Sequence, residues 1–86
     1  MEIIYSETAQ EDIAFWKKSG NKGIQKKIQS LIESIIETPF EGIGKPHALK
    51  HNLSGSWARR INDEHRIIYS VDENITKISS LRGHYD

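Results

Sequence analysis

Cysteine is absent from this 86-residue chain. That excludes a disulfide framework and any thiolate metal site, so stability must come from packing, which a partner protein can supplement. No apolar run approaches the ~20 residues of a membrane span, and no signal-like stretch follows Met1. A soluble, cytoplasmic protein with no membrane partner is the expectation. No P-loop, GxGxxG turn or GxSxG elbow occurs. One HxxxH spacing occurs, His47 to His51, but it falls in a stretch read as loop and has no HxH or carboxylate-paired spacing beside it, so neither a metal nor another cofactor is expected. Repeats, linkers and low-complexity segments are missing as well, and the length allows one small domain over residues 1–86.

Net charge is also absent, with 12 Lys+Arg against 12 Asp+Glu, but the charges are not evenly spread. Residues 1–41 hold seven acids and five lysines, a balance of −2. Residues 42–86 hold seven Lys+Arg and five acids, a balance of +2 before any histidine is protonated. A phosphate ligand responds to the local field rather than to the sum.

Glu2–Tyr5 (EIIY) is β-branched and aromatic and reads as a strand. Ser6 is a helix N-cap signal with Glu7 in the first turn, and Ala9, Ile13 and Trp16 share a helical face. Ser19-Gly20-Asn21 breaks that helix. Ile24, Ile28, Leu31, Ile32 and Ile35 then form one apolar stripe at i, i+4, i+7, i+8 and i+11. Such a stripe is core, worth roughly 1.5–3 kcal/mol per buried residue, and it is assigned no chemistry. Thr38-Pro39 ends the second helix.

Residues 40–54 read as a long loop, a kind of segment that tends to carry function in a small domain. Three strands follow. In 56–62, Trp57 and Ile61 lie on one face and Arg60 on the other. In 65–71, Ile67, Tyr69 and Val71 oppose Arg66, Ile68 and Ser70. Residues 75–81 close the set after an Asp72-Glu73-Asn74 turn. The order β-α-α-β-β-β predicts an α+β fold: two helices on one face of a small antiparallel sheet, the other face open.

The informative stretch is 42–66, GIGKPHALKHNLSGSWARRINDEHR. It places Lys45, His47, Lys50, His51, Arg59, Arg60, His65 and Arg66 against only Asp63 and Glu64. Cations that grip phosphates, mixed with imidazoles that move protons near neutral pH, are what RNA phosphodiester cleavage requires. Arg59 and Arg60 must point to opposite sides of a strand, so at most one joins a site on the open face; solvation of both is the ordinary expectation. Arg66 shares strand parity with Glu64. His84 sits in Arg82-Gly83-His84-Tyr85, just past the last strand.

The pieces PFEGxGKP, LKHNLSGxWxRRI, EHRxxY and a terminal HY make the chain resemble the YoeB (Txe) family of bacterial toxins, within the RelE-like group, from Tyr5 to Tyr85. The resemblance implies a microbial-ribonuclease-like fold and an mRNA endonuclease that works in the ribosomal A site of the 70S particle and is silenced by a YefM-like antitoxin. It also implies a homodimer through the helical side, and operator DNA bound only through the antitoxin. Arg66 matches the arginine that stabilises the scissile phosphate, His84 the general acid, and Tyr85 the terminal aromatic. Lys50 and Arg60 match residues that hold RNA, with Lys45 and His51 beside them.

Three positions depart from the family pattern. His47 stands where a glutamate usually serves as general base, Gly83 where an aromatic is common, and Asp86 extends the tail by one residue. The base is therefore His47, an imidazole being a residue type suited to moving protons, or Glu64. With neither acting, the chain is a catalytically attenuated module that binds RNA, ribosome and antitoxin.

Overall fold

The computed structural model describes residues 2–83. Strand β1 spans Glu2–Tyr5, helix α1 Glu7–Ser19 and helix α2 Lys22–Glu37. Strands β2 (His47–Ala48), β3 (Trp57–Arg60), β4 (Arg66–Asp72) and β5 (Ile75–Ser80) follow, with a short 3-10 turn at His51–Leu53.

The helix ends form where capping chemistry places them. Ser6 Oγ accepts from Ala9 N at 3.0 Å and donates to Ser79 O at 2.8 Å, so one hydroxyl caps α1 and ties it to the sheet. Gly20 closes α1 in the left-handed region at φ 71°, and Asn21 Oδ1 caps α2 through Ile24 N at 3.1 Å. Ile28, Leu31 and Ile35 of the α2 stripe are buried, with Ile24 and Ile32 half-buried at its margins.

The sheet has five strands in the order β1-β5-β4-β3-β2. It is mixed rather than purely antiparallel: β1 lies parallel to β5, with Ile3 opposite Thr76 and Ile4 opposite Lys77. The helical pair carries the chain away from β1, and β1 ends at the edge beside the last strand. No local pattern encodes that pairing. The fifth strand, β2, is two residues long and falls inside the stretch read as loop, too short to show alternation.

Both helices pack on one face. Ala9, Trp16, Ile28, Leu31 and Ile35 meet Ile61, Ile67, Tyr69, Ile78 and Leu81 in a single core. The other face is less open than expected, because Leu49 is buried against Ala58 and Ile68 with Leu53 packed beside them. That small second cluster fixes the 47–54 segment above the sheet.

Candidate nucleic-acid interface

The segment leading to β2 is anchored by Arg59. Its side chain is wholly buried on the helix face, in line with Trp57 and Ile61, which corrects the expectation that both arginines are solvated. A buried cation is costly unless its donors are satisfied. Here Nε donates to Tyr69 Oη at 3.1 Å, and Nη1 to Ser34 Oγ at 2.7 Å and Ile43 O at 3.1 Å. Nη2 donates to Thr38 O at 2.5 Å and Glu41 O at 2.8 Å. Tyr69 Oη in turn donates to Pro39 O at 2.6 Å. Burial pushes the Tyr69 hydroxyl pKa up, with the Arg59 hydrogen bond and charge opposing it. The carbonyls of 38–43 are thereby gathered around one guanidinium, and the chain is delivered to Lys45 at a defined place.

Gly44 lets that approach happen. A Cβ there would lie 2.6 Å from Leu31 Cδ2 and 3.2 Å from Arg60 O, and its φ is 83°. Arg60 N donates to Gly44 O at 2.6 Å, which brings the loop onto the end of β3.

Lys45, Lys50 and His51 are exposed, and Lys45 and His51 hold left-handed backbone at φ 53° and 60°. For residues with a Cβ this costs on the order of 1–2 kcal/mol each, so the surrounding contacts must impose it. His47 is exposed on β2. Its Nδ1 lies 3.2 Å from Lys45 O, and a carbonyl only accepts, so Nδ1 is the donor in this contact and, in a ring carrying one proton, Nε2 holds the lone pair. His47, Ala48, Leu49, Lys50 and His51 line an open depression of about 290 Å³.

Register places the remaining cations. His47 is paired with Ala58, Ala58 with Ile68, and Arg60 with Arg66. Directly opposed residues of antiparallel strands share a face, so His47, Arg60 and Arg66 all belong to the side of the sheet away from the helices. Arg60 pairs with Asp63, and both side chains are solvent-exposed. Arg66 is half-buried and donates from Nη1 to Asn62 O at 2.6 Å and His65 O at 3.1 Å. Two guanidinium groups opposed across one strand pair repel each other unless an anion lies between or beside them.

Glu64 is not on the strand with Arg66. It stands exposed in the β3–β4 turn, its N donating to Asn62 Oδ1 at 2.9 Å, and β4 begins only at Arg66. Parity along a strand therefore does not relate the two side chains. His84 and Tyr85 lie outside the described residues. Among those described, no group of three or more His, Cys, Asp or Glu is placed to hold a metal ion, and no helix is long and apolar enough to cross a membrane.

Two structural residues escaped the sequence reading. Arg59 had a signal: it alternates with Trp57 and Ile61 and so had to face the apolar side. Asp12, buried and accepting from Leu81 N at 2.9 Å, had none, because its partner is a backbone amide 69 residues away.

Comparison with known proteins agrees with this geometry. Residues 5–85 match the family model of the YoeB-like toxin of bacterial type II toxin–antitoxin systems. Toxin YoeB of Escherichia coli K12 is 48% identical over 85 residues, covering 99% of this chain and 100% of that protein. A YoeB/ParE toxin from Agrobacterium tumefaciens superposes with a TM-score of 0.94 at 34% identity, over 99% of this chain and 100% of that one. Staphylococcus aureus YoeB has been solved as a dimer, with TM-score 0.89 and 45% identity, and in complex with YefM, with TM-score 0.88 and 46% identity. Each covers 99% of this chain and 98% of that one. Sequence identity and backbone superposition both extend along nearly the whole length: the chain belongs to the family of YoeB-like toxins of bacterial type II toxin–antitoxin systems.

Proposed function

We propose that this chain is a ribosome-dependent endoribonuclease that cleaves mRNA in the ribosomal A site and so arrests translation. The observation that carries this reading is the Arg60–Arg66 pair, opposed across β3 and β4 on the face that also bears His47. A phosphate there accepts from the Arg66 guanidinium and competes with the exposed Asp63 carboxylate for that of Arg60.

Cleavage of RNA needs a base for the 2′-OH, cations for charge that accumulates on the phosphorane, and an acid for the 5′-oxygen that leaves. His47 Nε2 takes the 2′ proton; the lone pair left free by the Nδ1 contact to Lys45 O suits that role. The 2′-oxygen then attacks phosphorus. Arg66 stabilises the crowded phosphate; among the described residues its side-chain bonds are both made by Nη1, which leaves Nη2 and Nε for substrate oxygens. His84 protonates the departing 5′-oxygen, and Tyr85 is the terminal aromatic that follows it in the chain, on the family resemblance of the RGHYD tail. Lys45, Lys50, His51 and Arg60 hold the backbone of the message around the 290 Å³ depression. Glu64, exposed in the β3–β4 turn, is the competing base.

The partner assignments rest on the relatives. A YefM-like antitoxin silences the toxin, as the S. aureus complex supports, and the chain forms a homodimer, as the S. aureus dimer supports. Any operator DNA is contacted through the antitoxin. No cofactor is required for this chemistry, and the place of action is the cytoplasm, where the ribosomes are.

Primer extension on mRNA held by ribosomes tests the reading. New 5′ ends in or next to the A-site codon, abolished by Arg66→Ala, are the expected result. Ribosome binding without new ends favours the attenuated module, an outcome to which the missing glutamate at position 47 already points.

A further inference from the structure

His65 takes no part in the proposed chemistry, yet it lies between the helices and the start of the C-terminal tail. The chain beyond β5 is held at successive points. Leu81 N donates to Asp12 Oδ2 at 2.9 Å, and Leu81 O accepts from Trp16 Nε1 at 2.9 Å. The Arg82 guanidinium carbon lies 3.6 Å from the centroid of the Phe15 ring. Gly83 N donates to His65 Nδ1 at 3.0 Å, and Gly83 O accepts from Arg66 N at 2.9 Å. The His65 ring is itself fixed, edge-on to Trp16 with centroids 4.9 Å apart, while its backbone N donates to Asn62 Oδ1 at 2.8 Å.

We propose that His65 is a positioning residue for the cleavage reaction: its Nδ1 acts as the acceptor that locks Gly83 beside Arg66, and so sets where the tail carrying His84 leaves the sheet. The proposal rests on the ribonuclease reading given above. Gly83 is the last residue before His84, and both of its backbone polar groups are engaged, one by the side chain of residue 65 and one by the backbone of residue 66. Gly83 has φ 95°, a conformation in which other residues are strained, so its path is chosen rather than incidental. Only a ring with its proton on Nε2 offers Nδ1 as an acceptor, and that is the tautomer this contact demands. Without it, the Gly83 amide turns to water and Gly83 keeps, among the described residues, only the bond from Arg66 N. The phosphate-holding cations stay in place. The step that suffers is the one that needs acid and phosphate in fixed relation, because placement errors near 1 Å cost reaction rate rather than binding.

Two substitutions separate positioning from packing. His65→Phe keeps a ring against Trp16 and removes the acceptor; His65→Asn keeps an acceptor near the Nδ1 position and removes the ring. Single-turnover cleavage on programmed ribosomes is measured for both, together with melting temperature and hydrogen exchange at the Gly83 amide of the free protein. Positioning requires His65→Phe to lose Gly83 protection and to lower kcat by roughly 10–100-fold with KM unchanged. His65→Asn should retain protection and stay close to the parent rate, whatever its melting temperature. Gly83 still protected in His65→Phe, or a rate loss in His65→Asn equal to that in His65→Phe, overturns the proposal and leaves the ring as packing. If the parent cuts nothing, the ribonuclease reading fails, whereas the exchange measurement still decides whether His65 holds the tail.

Discussion

Arg59 and Arg60 are adjacent on β3 and do opposite things: the first is sealed beneath the helices by five neutral oxygens, the second projects from the far face opposite Arg66. The buried arginine holds the loop that supplies Lys45 and His47, and the other pairs with Asp63 on the face that also bears His47. Strand pleat sends one arginine of the dipeptide into the core and the other to the opposite face.

Arg59→Met should unfold easily. Three carbonyls and two hydroxyls lose their donor at once, and breaking such a buried network costs about 3 kcal/mol or more. For a domain of this size the melting temperature should fall by roughly 15 °C, read by circular dichroism. Arg60→Gln should change stability by no more than about 0.5 kcal/mol. It should instead weaken RNA binding and reduce the slope of log K against log salt by about 1.

Gly44 and Gly20 share positive φ but differ in room. At Gly20 nothing lies within 4 Å of an added Cβ, so Gly20→Ala should cost only the left-handed strain, about 1 kcal/mol. At Gly44 the same methyl meets Leu31 Cδ2 at 2.6 Å and the rigid Arg60 carbonyl at 3.2 Å. Gly44→Ala should cost about 3 kcal/mol in urea denaturation. Equal losses at the two sites would show that the loop relaxes freely away from β3.

Tyr69 should make the fold sensitive to alkali. Its folded pKa is raised, chiefly by burial, above the ordinary 10.0. The unfolded chain therefore gives up this proton first as pH rises. The contribution is fully present below pH 10.0 and is lost as pH climbs from there through the folded value. Ionisation also ends the donation from Tyr69 Oη to Pro39 O. Urea midpoints measured from pH 8 to 11 should fall at the alkaline end, and Tyr69→Phe should flatten that fall while lowering stability at pH 8.

If His47 is the base, the chemical step should show a bell-shaped pH profile on ribosome-bound message, and His47→Ala should remove its acidic limb. His47→Glu should preserve or raise activity and move that limb towards acid, since a free glutamate titrates near ~4.3. His47→Ala cleaving at the parent rate would give the role to Glu64 or to the ribosome.

The sequence by itself determined the local elements and the sidedness of β3 and β4. Ser6, Gly20 and Asn21 mark helix ends because capping acts over three or four residues, and the α2 stripe is visible because a helix repeats every 3.6. Alternation assigned Ile67 and Tyr69 to one face and Arg66 and Ile68 to the other for the same short-range reason. Tertiary structure alone decided that β1 runs parallel to β5, that Leu49 covers part of the open face, and that Glu64 leaves the strand. It also decided that a guanidinium fits in the core, because its cost depends on carbonyls from residues 38, 41 and 43 converging on it. Periodicity records which way a side chain points; what waits for it there is set by segments far away in the chain.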